Sequence, residues 1–134
     1  MDERTIAIAA TFTAEPLQGP LTYWLTELDM PHRIRFAPHD QVFQTLLTPG
    51  SLFSENKAGI NVVLLKLDDW KECRQSGAAH VPEAWAKAYV DDFVAAVAAS
   101  VSCSGAAHLV MTCPLSPSTL SAAESSGVSK IGLF

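Results

Sequence analysis

Asn61–Leu67, NVVLLKL, is the stretch that decides the fold. It is short, β-branched and apolar at every position but Asn61 and Lys66, so both faces of the strand are apolar. Strands of that kind belong in the middle of a sheet covered on two sides, and such sheets are parallel. Outward from it the pattern alternates. Thr5–Ala10 (TIAIAA) is a second apolar run of strand length, and His108–Cys113 (HLVMTC) a third. Arg33–Phe36 alternates charged and apolar side chains, as a strand with one wet face or at an edge does.

Helical spacing fills the gaps. Leu21, Trp24, Leu25 and Leu28 recur at i, i+3, i+4 and i+7, and Asp29–Pro31 ends that helix. Val42, Phe43, Leu46 and Leu47 mark a second helix over Gln41–Leu47, and Ser51–Lys57 reads as a further short piece. A short helix is expected from Asp68 to about Ser76. Pro82 opens the longest helix, with Val90, Val94, Val97 and Val101 as its expected buried stripe. Trp24, Trp85 and Tyr89 are expected in the core.

Strand–helix alternation of this kind predicts an α/β fold, a three-layer α/β/α arrangement around a mostly parallel sheet of about four strands. Residues 1–118 form the expected domain. Residues 119–134 read as a partial helix or tail that begins a continuation, because Lys130–Phe134 (KIGLF) looks cut off.

Composition narrows function. The chain has 134 residues, 49% hydrophobic and 17% charged, enough to fill one core. A net charge of −5 disfavours duplex nucleic acid and anionic membrane as partners. Mean hydropathy is +0.19, much of it from alanines in the long helix. No apolar run approaches the ~20 residues of a membrane span, and MDERT is not a signal peptide. Cys73, Cys103 and Cys113 lack metal-type spacing, which reads as a cytoplasmic chain with reduced thiols and no structural zinc. Cys103 and Cys113 are expected as small buried hydrophobes.

Ligands of open parallel sheets sit outside the carboxyl ends of the strands. That nominates Thr11, Phe12 and Thr13, then His39, Asp40 and Gln41, then Asp68, Asp69 and Trp70, then Ser116. Asp40 and Asp68 or Asp69 are expected to cap the helices that follow. No glycine-rich turn follows the first strand, so no nucleotide cofactor is expected. A magnesium-dependent phosphoacceptor site would need carboxylates after that strand, where the sequence is ATFTA. A hydroxyl, a base and an orienting acid are not assembled, since His39 is the one histidine expected at the carboxyl edge.

The runs TIAIAATFTAEPL, RIRFAPHDQVFQTLLTPGS and GINVVLLKLDDW resemble the N-terminal region of FkbH-like proteins. Similar segments occur in nonribosomal peptide synthetase and polyketide synthase polypeptides. The resemblance covers Thr5 to Ser118. It implies an SGNH-hydrolase-type, flavodoxin-like domain in a biosynthetic assembly line, with neighbouring synthetase domains or an acyl carrier protein as partners. It supplies no catalytic residue: the Asp-x-Asp loading motif is absent, and Thr11-Phe12-Thr13 stands where an SGNH nucleophile would fall. The expected function is therefore a noncatalytic recognition or accessory module. The alternative is an SGNH-like hydrolase or acyltransferase with an incomplete site.

Overall fold

The computed structural model describes residues 3–66 and 83–114. Four strands, β1 (Arg4–Ala10), β2 (His32–Phe36), β3 (Gly59–Lys66) and β4 (Ala107–Cys113), form one sheet of order β2-β1-β3-β4. All three pairings are parallel. Between them lie a 3-10 turn (Glu15–Leu17) and helices α1 (Gln18–Glu27), α2 (Val42–Leu47), α3 (Leu52–Glu55) and α4 (Glu83–Cys103). The fold is α/β, and β3 holds the interior position that its two apolar faces require. β2, with its charged alternation, is an edge strand.

Alternation along β1 and β3 splits the core in two. On one face Ala7, Ala9, Val63 and Leu65 meet Val42 and Leu46 of α2, Phe53 of α3, and Phe93 and Ala96 of α4. The alanines of β1 leave room for these helices to approach. Phe53 is fully buried, which contributes roughly 2–3 kcal/mol. On the other face Ile8, Ala10 and Leu64 pack with Ala14 and with the partly buried Phe12 and Leu21.

Helix faces are where the structure departs from the sequence pattern. On α4 the buried positions are Phe93, Ala96 and Ser100, whereas Val90, Val94 and Val101 are exposed. Of the valine stripe, Val97 is partly buried and packs against this core, while the face that lies against the sheet is centred on Phe93, Ala96 and Ser100. Apart from the polar face of Lys87, Asp91 and Asp92, α4 carries apolar residues on more than one side, so spacing could not select between them. Trp24 is not in the core either: it is 59% exposed, as are Leu28 and Leu47 in similar degree. Cys103 is exposed and Cys113 intermediate, so neither is a buried hydrophobe. The expected helix after Asp68, with Trp85's side chain and Cys73, lies outside what is described.

The end of α1 shows why it stops. The Met30 amide donates to the Leu25 carbonyl and the Asp29 amide to that of Thr26, closing the helix through a left-handed residue, Asp29 at φ 53°. Glycine adopts that conformation without the Cβ penalty. Asp29→Gly is therefore expected to stabilise the domain by about 0.5–1 kcal/mol, seen as a raised thermal midpoint. An unchanged or lowered midpoint would contradict the assignment.

Among the described residues no helix is long and apolar enough to cross a membrane.

Candidate functional site

Strand order reverses at β1. The chain steps from β1 to β2 on one side and then crosses to β3 on the other, so the switch point lies between the carboxyl ends of β1 and β3. A cleft of about 180 Å³ opens there. Thr11 and Leu65 form its floor, where β1 and β3 end. Asp40, Val42, Phe43 and Gln44 line it from the start of α2, and Tyr89 and Phe93 from α4. Phe43 stands edge-to-face against both Tyr89 (centroids 5.4 Å apart) and Phe93 (6.0 Å), which fixes the aromatic wall.

Two of the nominated residues, Thr11 and Asp40, line this cleft. Thr11 is buried, and its hydroxyl oxygen accepts from the Lys66 amide at 3.0 Å. Its own amide donates to the Leu64 carbonyl. The side chain thus extends the β1–β3 ladder by one bond. Asp40 is exposed and takes a left-handed conformation, φ 54°. The N-cap of α2 is Gln41, without a side-chain cap bond, so Asp40 shapes the turn and does not cap the helix.

The remaining nominated residues go elsewhere. Phe12 packs on the opposite face of the sheet, and Thr13, His39 and Gln41 are exposed and do not line the cleft. The Gln41 carbonyl accepts from both the amide and the hydroxyl of Thr45. Asp68, Asp69, Trp70 and Ser116 lie outside the described residues. The aromatic wall was missed because Phe43 and Tyr89 read simply as members of apolar helical faces. Only the packing of α2 on α4 brings them to the strand ends.

A larger depression, about 260 Å³, lies between the end of α1 and the start of β2, next to Asp29 and His32. It is at the amino edge, away from the switch point, and is open. The carboxyl-edge cleft is the better site on topology.

The amino edge also holds a buried polar network. Asn61, 0% exposed, donates through Nδ2 to the Phe53 carbonyl (3.2 Å) and the Ser104 hydroxyl (3.2 Å). Its Oδ1 accepts from Asn56 Nδ2 at 2.8 Å. Asn56 Nδ2 also reaches the Thr5 carbonyl, and the Ser104 hydroxyl donates to the Asn56 carbonyl. His108 Nδ1 faces the Ala106 carbonyl at 3.1 Å and so carries the hydrogen. Its Nε2 then accepts from the Ser100 hydroxyl at 2.8 Å. A serine hydrogen-bonded to a histidine has the outline of a nucleophile and its base. Ser100 is only 3% exposed, however, so no substrate carbonyl can reach its oxygen. The pair is a clamp joining α4 to β4.

Among the described residues no three His, Cys, Asp or Glu side chains gather where they could hold a metal ion. Comparison with known protein families, with curated proteins and with solved structures finds no match to this chain.

Proposed function

We propose that the domain is a noncatalytic recognition module of a nonribosomal peptide or polyketide assembly line, holding a short acyl group in the cleft between the ends of β1 and β3. The observation that carries this reading is the cleft itself. Its walls set the aromatic and apolar side chains Phe43, Tyr89, Phe93, Val42 and Leu65 beside Asp40 and Gln44, and the Thr11 hydroxyl at its floor is engaged by the Lys66 amide. Apolar walls with a few polar groups suit a small ligand. A volume of about 180 Å³ is below the ~300–1,000 Å³ of clefts that enclose drug-sized molecules, so a short acyl group fits the scale.

The assembly-line setting comes from the resemblance to FkbH-like N-terminal regions. In this reading the sheet is the inner layer of a three-layer, SGNH- or flavodoxin-like domain in the cytoplasm. The presenting partner is a carrier domain. With a net charge of −5, contact with an acidic carrier is weak and depends on tethering within one polypeptide.

Isotopically labelled protein titrated with acylated holo-carrier should show NMR shifts gathered at Thr11, Phe43, Tyr89 and Phe93. No ester hydrolysis above background is expected. Absence of shifts at millimolar carrier, or time-dependent labelling of Thr11 by a fluorophosphonate probe, would overturn the proposal.

A further inference from the structure

The cleft is asymmetric in charge. Among the described residues Asp40 is the one charged side chain lining it, with no Lys, Arg or His beside it there. His39, next to Asp40 in the chain, is exposed and does not line the cleft, and the lysines that flank the lining residues point away. Lys66 follows Leu65 on β3, and alternation sends its side chain to the opposite face of the sheet from the cleft floor. Lys87 lies two residues before Tyr89 on α4, which puts it on the far side of that helix. Among the described residues the ion pair present is Arg33–Glu3, on the β2 side of the sheet. Asp40 therefore has no cationic partner among them.

Beside this carboxylate stand three aromatic rings, Phe43, Tyr89 and Phe93, locked edge-to-face. Aromatic walls with a carboxylate at the rim attract an organic cation, through ring quadrupoles and through direct charge pairing. They repel an anion. We infer that the ligand of this cleft carries an ammonium group, held by Asp40 against the Phe43 and Tyr89 wall, so that the acyl group recognised is an aminoacyl group. This rests on the recognition role proposed above and specifies its ligand.

Asp40→Asn is the informative variant. Asparagine is nearly isosteric and tolerates the left-handed conformation at φ 54°, so the turn is kept while the charge is lost. The full chain would be titrated separately with butylammonium, 1-butanol and butyrate at matched ionic strength, followed by NMR. Butylammonium is expected to bind about five-fold more tightly than butanol, with butyrate weakest. In Asp40→Asn the advantage over butanol should fall to about two-fold or less, with an unchanged thermal midpoint. Equal binding of butylammonium and butanol at the cleft of the parent protein would overturn the ammonium assignment and leave the recognition reading standing. An advantage that survives Asp40→Asn would overturn it too. Cleft shifts from none of the three probes would overturn both.

Discussion

Gly59→Ala is expected to prevent the domain from folding, or to cost at least about 3 kcal/mol if it folds. Gly59 begins β3 directly opposite Thr5 of β1. A Cβ at this position would lie 2.0 Å from the Thr5 carbonyl oxygen and 2.7 Å from its nitrogen. These are backbone atoms, already committed, since the Thr5 amide donates to the Ala58 carbonyl. They cannot swing aside as a flexible side chain would. Gly59 also sits at φ 128°, a region L-residues avoid, so the substitution is strained even before the clash is counted. Soluble yield and thermal unfolding would show the effect. A variant melting within a few degrees of the parent would mean that β1 and β3 are not paired in this register.

Asn61→Leu is expected to cost about 2–4 kcal/mol. Leucine keeps the volume, so the loss reads hydrogen bonds and not a cavity. It would strip the Phe53 carbonyl and Asn56 Nδ2 of their Asn61 bonds inside a site that water does not reach, leaving the carbonyl with the Asn56 backbone amide and Nδ2 with the Thr5 and Ile60 carbonyls. Three bonds are lost at once, to the Phe53 carbonyl, the Ser104 hydroxyl and Asn56 Nδ2, each worth about 1 kcal/mol net. Denaturant unfolding of Asn61→Leu, Asn56→Ala and the double variant should show strong coupling between the two sites. Additive losses would mean that the amides act separately, and a neutral Asn61→Leu that the network contributes nothing.

The two residues also mark how far the sequence can be read. β3 was legible because a short strand buried on both faces is apolar at nearly every position, a property of the strand alone. β2 was legible for the opposite reason, its alternation of Arg33 and Arg35 with Ile34 and Phe36. Asn61 looked like a polar exception at the head of an apolar run. Its role depends on Phe53, Ser104 and His108, which only the tertiary fold brings near. The same limit applied to the candidate site. Topology led to the carboxyl edge and to Thr11 and Asp40, since loop positions follow from strand ends. Tyr89 and Phe93 reach the cleft because α4 presents the face containing Ala96, Val97 and Ser100 to the sheet, not that of Val90, Val94 and Val101. Two apolar stripes on one helix cannot be ranked without the partner surface.

The differing chemistry of the sheet's edges has a consequence in time. Residues 32–36 leave the ribosome well before 59–66, so β2 is available to β1 before β3 is. When β3 follows, it finds two free edges, the outer side of β2 and the other side of β1. Arg33 and Arg35 are exposed on β2, and charged edges discourage strand addition. β1 carries one exposed arginine, Arg4, at its start, but its Thr5–Ala10 run is uncharged, and it alone offers Thr5 at the distance that Gly59 fits. β4 then adds to β3, so no strand must be inserted between two already joined. Pairings this distant in sequence are slow to find. Two arginines on one short strand thus disfavour addition at the β2 edge, leaving to β3 the edge of β1 on which Gly59 fits against Thr5.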